Sequence, residues 1–563
     1  MNDLHRSPLV SAALHIFGTT YLLGGVCQLK KKTCLILALV LICSFIVSGC
    51  KPKVEPDAGG NDSEPKVGGT LVVGDSWSVV NLDPALYNDE GSWHVINLVF
   101  DALVDHDPDR KIIPRLATSW ENPDNLTWVF NLHEGAKWQD DNEVYAKGEG
   151  PEVTAEDVKY SIERILDSET KSSRYNLVES IDKVEAIDKY KVKITTKRPD
   201  AFLLDNLASV YVVNKKVVET LGPEKFSRNP IGSGPFKLEE VKPDDYVSLV
   251  RNDDHWLKPN LDKIILKPIP DPNALLMALE AGDVDLVAQI PQKDVERIGA
   301  TPGLVVMKQG TAAYRFIAFN CEKDPTSSLE FRDAICAAID MDGAVNAIFP
   351  PGMAERAVGP VAPPNLGYDP SLSKYWEYNP EKALETLGKL GWKDTDSDGV
   401  LDKEGKPLKL RIIAPQDANR SKLSVIVATS LNEIGIKAEV QNLEWGTLLS
   451  ESDKGNFDML ILGGYSGPNG MIFMFHSRNK GPNGNSARYE NPRVDELLEL
   501  GVTLLDPEER EPVWKEAQEL VVKDRAHMPA YHEYFFFAYN DEVKDYAGNF
   551  QFVSEINNVW LGR

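Results

Sequence analysis

From residue 314 to residue 462 the chain alternates short apolar runs of strand character with longer amphipathic runs that carry their own start and stop signals, and few architectures accept that order. A strand is expected over 314–319. Ser327 is read as the cap of a helix over 329–339, with Glu330 completing a capping box. Asn379-Pro380 opens a further helix that Gly391 stops, with proline at the first helical position and glycine beyond the end. A strand over 408–413, a helix over 420–434 and strands over 437–441 and 457–462 follow. Parallel strands need a crossover between them, so this β-α-β succession specifies an α/β lobe.

The earlier half of the chain is more strand-rich. Strands are expected over 69–74, 126–132, 190–195 and 246–251, and helices over 92–103 and 273–281. Thr154 and Asp157 form a capping box, after which Val158, Ile162, Ile165 and Leu166 fall on one helical face. Near the C-terminus, Asp506-Pro507-Glu508-Glu509 opens a helix reaching residue 522, and aromatic strands follow over 530–539. At 563 residues the chain has room for three or four domains at ~150 residues each. Trp120, Trp128 and Trp256 are expected in the core, and Gly232, Gly234 and Pro235 in a tight turn.

The N-terminal segment reads as an export signal rather than part of the fold. Lys30, Lys31 and Lys32 precede an apolar run over 33–47, which ends in Ser48, Gly49 and Cys50. Val47-Ser48-Gly49-Cys50 is similar to the bacterial lipobox, in which the cysteine receives diacylglycerol before cleavage on its N-terminal side. Residues 1–49 are thus assigned to the signal region. For residues 1–29, with a second apolar stretch from Pro8 to Cys27, two readings stand: a transmembrane helix, or sequence upstream of the true start. Residues 50–66, rich in proline, glycine and charge without an apolar period, are expected to be a flexible tether behind the lipid.

Beyond Cys50 only Cys321 and Cys336 remain; fifteen residues apart, they either pair or leave Cys336 as a buried apolar residue of a helix. The net charge of -25 disfavours nucleic acid and anionic lipid as main partners.

Five ordered segments resemble solute-binding protein family 5 of ABC importers, which includes dipeptide-, oligopeptide- and nickel-binding lipoproteins. They are Pro114 to Trp120 with the Thr154 box, Asn229 to Phe236 with Val250 to Trp256, Ala278 to Asp285, Tyr314 to Asn320 with Phe331 to Asp340, and Tyr489 to Leu497. The resemblance spans residues 67 to about 540. It implies an α/β, bilobal periplasmic-binding-protein-like fold with a hinge. Lobe 1 would comprise 67–100, 230–305 and 531–563, with an extra subdomain over 101–229, and lobe 2 would comprise 306–530. It further implies a monomer without cofactor that captures a peptide or peptide-like organic solute outside the cell and hands it to a membrane permease.

A protein of this kind closes because the ligand binds the closed state better. Its cleft should carry aromatic walls and a few polar anchors. The segment Leu462 to Gly470 is expected to be a glycine-rich loop after a strand, offering Tyr465 for stacking and Ser466 and Asn469 for hydrogen bonds. Trp445 and Tyr314 are further wall candidates, each with a core role as the alternative, and Tyr87 and Trp93 near the exit of the first strand are others. In peptide-binding relatives this loop carries an Asp for the peptide ammonium, yet no carboxylate lies between Asp458 and Glu490. That departure points to a modified peptide or another organic solute.

His476 keeps a nickel or metal-chelate ligand open, although one histidine is short of a metal cluster. Asp394, Asp396, Asp398 and Asp402 are spaced like the start of a calcium loop, but Gly405 stands where a bidentate Glu belongs. Enzyme signatures are absent: His532-Glu533 lacks the second histidine of a zinc-protease helix, and Gly464 to Pro468 lacks the final glycine of a nucleophile elbow. An exported binding protein that signals rather than feeds a transporter is the remaining alternative.

Overall fold

The computed structural model describes residues 64–563, apart from 109, 364, 482–483 and 549–553. The expected signal region, the lipidation cysteine Cys50 and all but the end of the tether lie outside the described residues. Among the described residues no helix is long and apolar enough to cross a membrane.

The fold is mixed α/β. Eleven strands share one sheet, in the order Lys437–Leu443, Lys409–Pro415, Met459–Tyr465, Leu304–Phe319, His527–Asn540, Leu286–Val287, Thr70–Asp75, Lys263–Pro268, Tyr246–Arg251, Phe236–Lys242, with Ala354–Arg356 beside His527–Asn540. Toward one end Thr70–Asp75 runs parallel to both of its neighbours. Toward the other, Lys409–Pro415 does the same. Each parallel group is covered by helices that bury apolar side chains. Val427 and Leu431 of helix Ala418–Glu433 lie in one core with Ile412 and Ile461, and Val95 and Leu98 of helix Glu90–Val99 lie in another with Leu71 and Val73. A separate four-stranded antiparallel sheet, formed by Ala117–Asp124, Thr127–Leu132, Lys191–Thr196 and Ile181–Asp188, extends the first core.

Two long strands join the halves. Leu304–Phe319 pairs antiparallel with His527–Asn540, and the ladder is interrupted between Gly310 and Tyr314, opposite Tyr534 and His532. Before the break His527–Asn540 borders Leu286–Val287 of the first half. Beyond it Leu304–Phe319 borders Met459–Tyr465 of the second. An interrupted ladder has lost local backbone hydrogen bonds and bends most readily there.

Local signals mostly act as read. Asp157 accepts hydrogen bonds from the Thr154 N–H (2.9 Å) and hydroxyl (2.8 Å) and opens helix Ala155–Leu166. Asn379 and Asp417 cap Pro380–Lys389 and Ala418–Glu433 through their side chains. Three expectations are corrected. The cap of helix Leu329–Ala337 is Ser328, which accepts from the Phe331 N–H, while the Ser327 hydroxyl turns to Asp324. The helix expected over 92–103 stops at Val99, because the Gly234 N–H takes the Val99 carbonyl at 2.8 Å. Glycine is required there, since a Cβ on Gly232 would sit 1.9 Å from that oxygen. Finally, Gly463 and Gly464 do not end their strand. They pair with Arg315 and Tyr314, and Met459–Tyr465 runs through them. A Cβ at either would meet Arg315 at 2.6 Å or the Met474 sulfur at 2.5 Å, so the glycines make room for neighbouring side chains.

Cys321 and Cys336 are both free thiols. Burial raises both pKa values, that of Cys336 to about 12, which leaves it an inert apolar residue. Trp128 is buried as expected, while Trp120 and Trp256 pack half-buried against the first core.

Candidate functional site

A cavity of about 490 Å³ lies between two segments that belong to different cores. One wall runs from Asn176 to Asn206, whose neighbours Val178, Ile181 and Leu203 are in the first core. The other runs from Asn469 to Thr503, whose Met471, Phe475 and Leu498 are in the core around Trp514. A more open space of about 680 Å³ shares Asn176, Glu179, Arg198, Asn469, Ile472 and Arg478 with it. A volume of several hundred Å³ suits a small organic molecule or short peptide.

The two walls meet along a seam. The Ala201 N–H donates to the Val502 carbonyl at 2.9 Å, and Arg510 donates to the Ala201 carbonyl at 3.0 Å. Phe202 packs against the core around Trp514, its ring 6.3 Å from the indole, and Leu505 packs in return against the first core. A ligand in the cavity therefore touches both halves of the molecule.

The expected site residues separate into groups. Asn469, exposed at the start of helix Pro468–Phe475, lines the cavity. Tyr465 ends the preceding strand 72% exposed and outside the cavity lining, available for stacking. Ser466 is occupied within the protein: its hydroxyl oxygen accepts from the Ala362 N–H and from Asn365, tying two loops together. Trp445 is half-exposed on helix Trp445–Asp453, with the Arg420 guanidinium 5.8 Å from its ring centre, and does not line the cavity.

Tyr314 and Tyr87 are core residues rather than walls. Tyr314 is fully buried against Phe316 and His532. Tyr87 is buried under the Arg174 guanidinium, 3.6 Å from its ring centre, and burial pushes its hydroxyl up to about 12. Trp93 is half-buried and donates from its indole N–H to the Tyr211 hydroxyl at 2.8 Å, an internal bond of the first core. Alternating strands place aromatic side chains on both faces, and sequence alone does not say which face another layer covers.

His476 also lines the cavity, at 5% exposure. Its Nδ1 accepts from the Arg478 N–H at 3.3 Å and lies 3.4 Å from Asp495, and its Nε2 lies 3.2 Å from Glu499. That arrangement positions the turn Ser477–Asn479. Among the described residues the group of carboxylates gathered closely enough to hold a cation is Asp394, Asp396 and Asp398, all exposed, with oxygen atoms within 4.8 Å of one another. Asp402 does not join them, because its carboxylate accepts from the Thr395 N–H and hydroxyl. Asp394 in turn accepts from the Ser397 and Gly399 N–H groups. These bonds tie the segment from Asp394 to Asp402 into a turn.

Sequence reading missed Glu179, Arg198, Phe202 and Arg478. Glu179 and Arg198 sit in turns of the extra antiparallel layer, and Arg478 follows His476 by two residues. No spacing or motif distinguishes them from solvated charges.

The family model for bacterial extracellular solute-binding proteins, family 5, matches residues 111–486. The oligopeptide-binding protein AppA of Bacillus subtilis (strain 168) is 27% identical over 520 residues, covering 89% of this chain and 94% of its own. The periplasmic binding protein DppA of Helicobacter pylori, solved with the peptide STSA, superposes with a TM-score of 0.70 at 26% identity, over 88% of this chain and 99% of its own. NikZ of Campylobacter jejuni, solved with Ni(L-His), gives a TM-score of 0.68 at 26% identity, over 85% and 96%. Shared over nearly their whole lengths, the bilobal architecture accounts for the separate cores, the paired connecting strands and the cavity. The chain belongs to the bacterial extracellular solute-binding proteins of family 5, binding components of ABC importers and not enzymes.

Proposed function

We propose that this protein is a lipid-anchored receptor outside the cell that captures a peptide or peptide-like organic solute by lobe closure and delivers it, as a monomer, to an ABC permease. The carrying observation is the cavity itself, whose walls come from two separate cores. A ligand bridging such walls stabilises the closed arrangement by its differential affinity. The interrupted ladder at Gly310 to Tyr314 is the proposed hinge, with lobe 1 and its extra subdomain on one side and lobe 2 on the other. The oligopeptide-binding and peptide-bound relatives support the solute class. Diacylglycerol on Cys50, with residues 51–66 as tether, is the proposed anchor; several acyl chains at ~0.8 kcal/mol per buried CH₂ hold a protein stably on a membrane.

The test is a melting-temperature screen of the purified protein with di- to hexapeptides, nickel chelates and small organic solutes. A cognate solute at 100 times its Kd should stabilise the fold by ~2.7 kcal/mol. No response to any peptide would overturn the solute class. Response to nickel-histidine alone would favour the second reading, which rests on His476 in the cavity lining and on the nickel-bound relative. Radiolabelled palmitate should enter the wild-type protein in cells and not the Cys50→Ala variant.

A further inference from the structure

The seam beside the cavity is a junction between the halves that is separate from the connecting strands. Phe202 follows strand Lys191–Thr196 of the antiparallel layer, and the adjoining helix Leu203–Leu207 buries Leu203 and Leu207 in the first core. Phe202 itself packs against the core around Trp514, with the Arg510 guanidinium 5.9 Å from its ring centre. Leu505, just before helix Pro507–Lys523, packs the opposite way, against the first core. Each half thus lodges an apolar side chain against the other. The Ala201 N–H on the Val502 carbonyl, at 2.9 Å, and Arg510 on the Ala201 carbonyl, at 3.0 Å, fix the register. Gly501 lets the Trp514 indole lie close beside Val502, since a Cβ there would meet the ring at 2.6 Å. The Arg510 Nε is buried and, among the described residues, has no hydrogen-bond partner. An unsatisfied buried donor offsets part of what the apolar contact contributes, which leaves a junction able to part.

We infer that Phe202 and Arg510 form a clasp between the antiparallel layer and the second half, which sets the resting position of the lobes and thereby tunes how tightly any solute is held. The inference rests on the two-lobe receptor reading and gives the antiparallel layer a task within it. The ladder interrupted at Gly310 to Tyr314 permits a swing but does not choose an angle. Docked Phe202 chooses the angle at which walls from both cores line one cavity. Phe202, Val502 and Thr503 are themselves part of that lining, so docking of the seam and completion of the cavity are one event. The wider space, lined by Asn176, Arg198, Phe473 and Asn479 among others and by no residue of the seam, leaves an entrance while the clasp is docked. A solute that binds the docked arrangement has its apparent affinity reduced in proportion to the docked fraction. Weakening the clasp lowers that fraction and the affinity together.

The test reads lobe position and affinity separately in the purified full chain. Small-angle X-ray scattering without added solute gives the radius of gyration of the wild type, Phe202→Ala and Phe202→Leu. Phe202→Ala should be more expanded than the wild type, and Phe202→Leu, which keeps an apolar plug, should stay close to it. Equal radii for the wild type and Phe202→Ala would overturn the clasp. Calorimetry with a pool of di- to hexapeptides then reads affinity. Phe202→Ala should bind roughly tenfold more weakly, because truncating a ring packed between two halves shifts the equilibrium away from the docked arrangement. Phe202 also lines the cavity, so Ala201→Cys and Val502→Cys are added to that variant; the hydrogen bond joining these two residues brings them within reach of a disulfide. Oxidation should restore both the compact radius and most of the affinity, and reduction should undo both. Compactness regained without affinity would make Phe202 a solute contact only and overturn the clasp. If the pool binds none of the proteins, the peptide reading falls, and the scattering comparison alone decides the clasp.

Discussion

Mild acid is expected to weaken the fold through two histidines on the strand that joins the lobes. His527 is almost fully buried, its ring stacked on Phe316 with centroids 3.9 Å apart and planes 6° from parallel, and Phe475 at 4.6 Å. Neither of its ring nitrogens has a hydrogen-bond partner, and burial pulls its pKa down to about 3. His532 is likewise buried, with Nδ1 3.3 Å from the Ala313 carbonyl. Burial, followed by the charges of Arg356 and Arg315 against the opposing carbonyl bond, lowers its pKa to about 4. In the unfolded chain each titrates near 6.5. The folded state therefore binds fewer protons, so its stability is full above pH 6.5, falls as the pH drops below that, and levels off below the folded pKa values. At pH 5 each histidine lies about 1.5 units below its unfolded pKa, at ~1.4 kcal/mol per unit, so each removes about 2 kcal/mol and the pair about 4. Carboxylates contribute little in this window because their unfolded pKa values lie near 4. Urea unfolding at pH 7.5, 6 and 5 checks this in the wild type, His527→Phe, His532→Phe and the double variant. Each single variant should lose about half of the wild-type decline whatever its stability at pH 7.5, and the double variant most of it. The reasoning is refuted if all four proteins decline in parallel.

Other perturbations bear on the framework around the cavity. Gly470→Ala should destabilise the protein by about 1–3 kcal/mol or more, because its Cβ would lie 1.7 Å from the Tyr465 carbonyl oxygen; the urea midpoint reads this directly. Asp101→Asn should lower stability by about 3–5 kcal/mol. This fully buried carboxylate accepts from Arg115 at 2.9 Å and Ser233 at 2.8 Å and lies 3.3 Å from His255. Its loss would take the nearer carboxylate from the buried Arg115 guanidinium, leaving it only Asp105 at 3.7 Å, and calorimetry should show a lower melting temperature. Tyr465→Ala should weaken the stabilisation given by the cognate peptide while shifting the ligand-free protein by less than about 0.5 kcal/mol, since the ring is 72% exposed. Unchanged peptide affinity would remove Tyr465 from the site.

The family relationship rests on ordered motifs, and most of those motifs are structural. Asn229 to Phe236 closes on the end of helix Glu90–Val99, where Gln139 donates to the carbonyls of Val99, Gly234 and Phe236. Tyr314 to Asn320 is the connecting strand itself. Such segments identify the scaffold and leave the solute undetermined, because ligand contacts come from side chains carried on that scaffold.

Short-range chemistry explains what could be read from the sequence. Thr154 with Asp157, Asn379 with Pro380, and Asp506 with Pro507 satisfy helix N–H groups within three residues, and all three helices begin there. The β-α-β order over 314–462 reflects the same local periodicity and correctly specified an α/β lobe. Where tertiary neighbours hold the deciding vote, local reading went astray. Gly463 and Gly464 have low strand propensity, yet pairing with Leu304–Phe319 and the bulk of Arg315 and Met474 keep them in a strand. Tyr87 looks like any exposed aromatic until another layer covers it, whereas the core alternative for Tyr314 holds. The cavity is the extreme case: Arg198 and Arg478 lie far apart in the chain and line one cavity, beside the seam where Phe202 docks on the Trp514 core. Hydrogen bonds within a turn are encoded by adjacent residues, whereas the facing of two walls depends on how whole lobes pack, and only the folded chain decides that.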